Sequence, residues 1–179
     1  IYGVMKLSKE FRFFTYLLES YAQHKNTTAG AVLKTLDEKG LTDFVYTKGN
    51  ADGIDKTLSY LDQNFEGLCF INLVDFDMLY GHRNDIEGYA KALTAFDEAL
   101  PEILHKMRED DLLMITADHG CDPGYTCSTD HSREYTPLVM YGKNLSPGNL
   151  GTRKTFADIG ATVLHALSVE GNIAGESVL

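Results

Sequence analysis

Basic residues are scarce in this sequence: 16 lysines and arginines stand against 26 aspartates and glutamates, a formal net charge of −10 over 179 residues. A general nucleic-acid binder carries a basic face, so that class of partner is excluded. Long apolar runs are missing too. None approaches the roughly 18 residues that a membrane span needs, and residues 1–22 lack the uninterrupted apolar stretch of a signal peptide, so no membrane partner is expected. Cysteine is rare and odd in number. Cys69, Cys121 and Cys127 form no C-x-x-C pair, which points to a reducing compartment rather than a disulfide framework. With four prolines, no repeats and no low-complexity tract, nothing marks a linker, and residues 1–179 read as a single domain. What is present is a composition near the globular average, 44% hydrophobic and 23% charged, with enough length to bury a sizeable core. That excludes a disordered or collagen-like chain.

The periodicities predict strands alternating with helices. Residues 1–6 read as a short strand, Phe11, Phe14, Leu17, Leu18 and Tyr21 as one face of a helix over 9–22, and Ala29 to Glu38 as a second helix. Phe44 to Tyr46 suggests a short strand, Asn50 to Gly53 a turn, and Ile54, Leu58 and Leu61 the helix after it. Leu68-Cys69-Phe70-Ile71-Asn72-Leu73-Val74 is a nearly unbroken apolar run, the pattern of a strand buried on both faces of a parallel sheet. Ile86, Tyr89, Ala90, Leu93, Phe96 and Leu100 then mark a long amphipathic helix whose end or kink falls at Pro101. Leu112 to Ala117 is a second buried strand, 118–136 a polar loop and Pro137 to Tyr141 a third strand. A last helix is expected over Thr155 to Leu167, with Thr155 as N-cap and Asp158 three residues later. The expected class is α/β, a mostly parallel sheet flanked by helices, with ligands gathering at the carboxyl ends of the strands.

Both strong strands run into the same chemistry. The first leads into Asp75-Phe76-Asp77 and on to Gly81-His82, the second into Asp118-His119-Gly120, and the loop adds Asp122, Asp130 and His131. Mixed carboxylate and imidazole donors suit Mn²⁺, Zn²⁺ or Fe²⁺, whereas Mg²⁺ and Ca²⁺ prefer oxygen alone. Taken singly each piece is ordinary, since an Asp after a strand often caps a helix. The combination on consecutive strands is what indicates a metal site. In an extended segment Asp75 and Asp77 share one face, so spacing does not choose between them. Glycines at 81 and 120 are expected to let the backbone turn sharply where a ligand is aimed. A rival arrangement is a closed zinc site of His119, Cys121, Cys127 and His131, but its spacing matches no common finger. His24, His105 and His165 lie on predicted helices without a partner pattern and read as structural or exposed.

Asn72-Leu73-Val74-Asp75-Phe76-Asp77-Met78-Leu79-Tyr80-Gly81-His82-Arg83 resembles the "NLVDFDxLxGHRxD" segment of phosphopentomutases. Lys48 to Asp55, Thr116 to Gly120, Thr129 to Tyr135 and Thr155 to Thr162 resemble further segments of that family, in the same order. The likeness covers roughly residues 38–179, while 1–37 match poorly. The D-H-G triplet is shared across the wider alkaline phosphatase superfamily, whereas the other segments are more specific. Ser132 stands where the family usually has Thr, and the 119–131 loop looks about one residue longer than usual.

The resemblance implies an alkaline-phosphatase-like core and two Mn²⁺ ions, one held by Asp77, His82 and His131, the other by Asp118 and His119. It implies interconversion of α-ribose 1-phosphate and ribose 5-phosphate, or the deoxyribose pair, through a phosphorylated Thr, in cytoplasmic nucleoside salvage. The family's nucleophilic Thr, its first metal-binding Asp and its cap domain lie upstream of the matched region and have no counterpart in residues 1–50. Ile1-Tyr2-Gly3-Val4-Met5 also reads like mid-strand, so the chain is expected to be the carboxy-terminal part of a longer metalloenzyme, binding metal but inactive alone. The alternatives are another phosphomutase or phosphatase of that superfamily, or a catalytically silent metal-binding fragment.

Overall fold

The computed structural model describes residues 45–171 and 173–179. The expected strand over 1–6 and helices over 9–22 and 29–38 lie outside the described residues. The chain divides into two compact units, of which one is Tyr46–Pro147 and the other includes Gly148–Leu179.

In the first unit, helix α1 spans Asn50–Leu61, so the expected turn at Asn50 to Gly53 is the helix's first turn. Its opening is stabilised from a distance. The Asp75 carboxylate accepts from the Asn50 N–H at 2.7 Å, and the Asn50 side-chain oxygen accepts from the Asp75 N–H at 3.0 Å. A carboxylate at a helix N-terminus both satisfies an orphan donor and meets the positive end of the helix dipole. Gly53 leaves room for Ile71 and Leu73, so α1 lies against the apolar run. Residues 68–74 nevertheless join no ladder among the described residues, and Leu68 and Phe70 are half-exposed. Val45 and Tyr46 are likewise irregular rather than strand.

Helix α2 spans Ile86–Lys106. Asp85 caps it by accepting from the Gly88 N–H at 2.8 Å. Pro101 neither ends nor breaks it: the helix runs on for another turn, and Ile103 and Met107 beyond the proline are its deepest side chains, 6% and 4% exposed. Burying each contributes about 1.5–3 kcal/mol, enough to offset much of the roughly 3 kcal/mol cost of an interior proline. Tyr89 and Phe96 lie on the partly covered side, with the Tyr89 ring 5.4 Å from that of Phe76. Ile86 and Leu93 are exposed.

Strands β1 (Leu113–Thr116) and β2 (Leu138–Tyr141) pair antiparallel, Leu113 opposite Tyr141 and Thr116 opposite Leu138. The α/β class stands, but this described pair is not parallel. A parallel pair needs a crossover, usually helical, whereas residues 117–137 form a loop that leaves β1 and re-enters β2 at one end of the sheet. Leu100 and Leu104 of α2 line an apolar cleft with Leu113, Ile115 and Val139.

In the second unit, helix α3 spans Ala157–Ala166. Its N-cap is Phe156 rather than the expected Thr155, whose hydroxyl accepts from the Ala157 N–H at 3.2 Å one residue further out. Asp158 does not complete a capping box. Its carboxylate, buried, takes the Arg153 Nε–H at 2.7 Å and the Glu176 N–H at 3.0 Å, and the fully buried Thr162 hydroxyl accepts from the Val178 N–H. The last residues are thereby tied to the helix. At its other end, Ser168 is left-handed (φ 53°), and the Val169 and Ser168 N–H groups reach back to Leu164 and His165 in a Schellman closure.

Candidate metal centre

After Val74 the chain does not continue extended. Phe76–Tyr80 forms a π-helical turn, followed by a 3₁₀ turn over Gly81–Arg83. Two residues apart in a helical turn point to opposite sides, where in a strand they would share one. Hence Asp75 turns to α1 while Asp77 turns the other way. The 3₁₀ turn that follows carries His82, whose Nε2 lies 3.3 Å from Asp77 Oδ2.

The loop after β1 supplies the remaining donors. His119 Nε2 and His131 Nε2 stand 4.0 Å and 3.5 Å from Asp77 Oδ1. The two rings stack at 3.5 Å, and His82 lies 5.0 Å from His131. What brings positions 119 and 131 together is a bridge between their neighbours: Gly120 pairs antiparallel with Ser132, whose N–H donates to the Gly120 carbonyl at 3.1 Å. The Ser132 hydroxyl accepts from the Asp122 N–H at 2.7 Å and shapes the loop's first turn.

Tautomers follow from partners. His82 Nδ1 faces the Thr129 carbonyl, and His119 Nδ1 faces the Gly120 carbonyl at 3.0 Å. A carbonyl only accepts, so both Nδ1 atoms carry a proton, and both Nε2 atoms are turned toward Asp77. Asp77 Oδ1 is buried without a hydrogen-bond partner. A buried carboxylate oxygen left bare normally costs on the order of 1–3 kcal/mol or more. A cation removes that cost, and an oxygen with several imidazole nitrogens is a fitting donor set. Asp77, His119 and His131 have ligand atoms close enough to share one ion, as do His82, Asp130 and His131. Asp118 stands at the margin, mostly exposed, with Oδ1 3.6 Å from His119 Nε2. All five candidate residues therefore fall in one neighbourhood, with Asp77 central to its inner part.

The cysteines do not join it. Among the described residues neither ligand group contains one, which removes the basis for the rival zinc arrangement. Cys121 Sγ instead packs against Gly81, while Cys127 is exposed. Burial raises the Cys121 pKa, and the negative charges of Asp77, Glu134 and Asp122 raise it further. Tyr89 is shifted up by burial and then by Cys121 and Asp77. The two glycines serve space rather than conformational freedom. Gly81 is ordinary right-handed backbone, and a Cβ there would overlap Cys121 Sγ. At Gly120, a Cβ would lie 2.7 Å from the Glu134 nitrogen.

Sequence patterns missed the supports. Asp85 directly before an apolar helical repeat was a readable N-cap signal. Asn84 carried no signal: its side-chain amide donates to the carbonyls of Pro123, Tyr125 and Ser128 at 3.2, 3.1 and 3.3 Å. His105 is exposed, and His165 Nδ1 lies 2.9 Å from the Ser177 hydroxyl.

An α/β chain that turns an aspartate and three imidazoles toward one point has the build of a metal-dependent protein. Comparison with known families agrees, for residues 23–171 match the Metalloenzyme superfamily. The chain belongs to that superfamily, whose core is alkaline-phosphatase-like, and membership indicates a metal cofactor. It is 64% identical over 141 residues to a phosphopentomutase of Lachnoclostridium phytofermentans, covering 78% of this chain and 36% of that protein. It is 57% identical over 157 residues to one of Acetivibrio thermocellus, covering 87% and 40%, and 51% identical over 164 residues to one of Clostridium acetobutylicum, covering 90% and 42%. The chain thus spans about two fifths of the length of the curated relatives it matches.

Proposed function

We propose that this chain carries the cation-binding part of a phosphopentomutase, acting on α-ribose 1-phosphate and ribose 5-phosphate or the deoxyribose pair, with Mn²⁺ as the metal. The observation that carries the cation site is the bare, buried Asp77 Oδ1 faced by imidazoles, two of them held at Nδ1 by backbone carbonyls. Identity of 51–64% to proteins named phosphopentomutase supports the reaction class.

In this reading Asp77, His82 and His131 hold one ion, and Asp118 and His119 contribute to a second. Divalent cations held by these residues would supply positive charge against a transferring phosphoryl group. The chain's own residues do the aiming: carbonyls of Thr129 and Gly120 orient the imidazoles, and the Gly120–Ser132 bridge sets their spacing. The phosphorylated Thr of the proposed reaction lies outside this chain. A small sugar phosphate is the substrate and the cytoplasm its place, in nucleoside salvage.

Calorimetric titration of the chain with Mn²⁺ tests the site: measurable binding is expected, weakened more than about 100-fold by Asp77→Ala, since outer partners alone are worth 10–100-fold. No binding, or no effect of Asp77→Ala, overturns it. The chain by itself is expected to show no mutase turnover, and turnover would refute the placing of the nucleophile. A chimera in which residues 38–179 replace the matching part of the Acetivibrio thermocellus relative is expected to interconvert the two sugar phosphates. A folded, Mn²⁺-binding chimera that leaves both untouched overturns the mutase reading.

A further inference from the structure

The geometry points to Asn84 as a positioning residue that fixes the tautomer and aim of His82 by holding the 123–129 segment in place. Asn84 ends the 3₁₀ turn in the left-handed region (φ 52°, ψ 33°), a conformation that Asn, Asp and Gly adopt more readily than other residues. From there its amide points into the loop after β1, where the carbonyls of Pro123, Tyr125 and Ser128 converge on Nδ2. Two N–H protons shared among three oxygens leave the amide no freedom to rotate without losing a bond.

The contact with Ser128 is the informative one. The next carbonyl along, that of Thr129, accepts from His82 Nδ1. Asn84 and His82 belong to one short turn, so a single segment reaches across to two adjacent loop carbonyls and grips both. Within the loop, the Ser128 hydroxyl accepts from the Asp130 N–H at 3.0 Å and Asp130 Oδ1 accepts from the His131 N–H at 2.8 Å. Held at Ser128, the chain presents Thr129 to His82, and His131 follows two residues on. Released, it would leave the His82 Nδ1–H with solvent and the ring free to turn. Outer partners of a ligating histidine act in this way, fixing which nitrogen carries the proton.

Two substitutions that keep the left-handed backbone separate the amide from the turn. Asn84→Gly removes the side chain without backbone strain. Asn84→Asp keeps its size but sets a carboxylate against three carbonyl oxygens. Long-range ¹H–¹⁵N correlation spectra of the metal-free full chain, at a pH where the imidazoles are neutral, report the His82 tautomer directly. The parent is expected to show the Nδ1–H form and both variants to lose it, with Mn²⁺ affinity falling about 10–100-fold. A merely structural role would lower the unfolding midpoint yet leave the tautomer of the folded molecules unchanged. An unchanged Nδ1–H signature in both variants overturns the inference, and so does its loss in Asn84→Asp alone, because repulsion rather than the missing donor would then be the cause. Only the affinity arm rests on the cation-site reading. A parent that binds no Mn²⁺ while both variants still lose the signature would defeat that reading and leave the positioning role standing.

Discussion

Replacing Gly120 with alanine is the sharpest test of how the site is assembled. A Cβ at this position would lie 2.7 Å from the Glu134 nitrogen and 2.8 Å from its carbonyl oxygen. Both are backbone atoms, so no side chain can swing aside. Ordinary contact begins near 3.5 Å, and the two segments must therefore separate by roughly 0.7 Å. Overpacking of this kind costs about 1–3 kcal/mol. Separation also weakens the bond from the Ser132 N–H to the Gly120 carbonyl, worth about 0.5–1.5 kcal/mol. Urea unfolding of Gly120→Ala is expected to show a loss of about 2–4 kcal/mol, the two effects acting together. His119 and His131 flank the bridge, so their rings, stacked at 3.5 Å, are expected to part and Mn²⁺ affinity to fall about tenfold or more. A variant as stable as the parent, with unchanged affinity, would refute the claim that the bridge sets the imidazole spacing.

At Gly81 the obstacle is a side chain, so the effect should be reversible by design. Gly81→Ala is expected to destabilise by about 1–3 kcal/mol, and by about 1 kcal/mol less in a Cys121→Ala background, where the sulfur it meets is gone. Equal costs in the two backgrounds, read from denaturant midpoints, would rule the contact out. Asp158 offers a pH signature. Its pKa is held below the usual carboxylate range, first by the Glu176 N–H and then by Arg153. A depressed folded pKa contributes stability that is full above the unfolded value of about 3.9 and is lost as pH falls through the folded one. Thermal melts from pH 7 to pH 3 should therefore fall less steeply for Asp158→Asn than for the parent, from a lower starting midpoint. Parallel curves would show that the buried carboxylate has no such linkage.

The local alphabet of this chain determined a good deal. Apolar periodicity located α1, α2, α3 and both strands to within a few residues, because a buried stripe at helical spacing or a short apolar run has few other uses. The Asp and His residues after the strand-like runs marked where the fold gathers carboxylates and imidazoles, a combination suited to cation binding. Pairwise geometry was beyond its reach. Asp75 and Asp77 are equivalent in a strand, and only the π-helical turn sends one to cap α1 and the other to the histidines. Likewise Gly81 and Gly120 look like turn residues until Cys121 and Glu134 are seen to fill the space beside them. The antiparallel pairing of β1 and β2, the grip of Asn84 on three distant carbonyls and the stacking of His119 on His131 all join positions 12 to 44 residues apart. Residue type and short spacing write the donors into the sequence; which donors meet, and which nitrogen each presents, is decided by contacts between segments that exist only once the chain has folded.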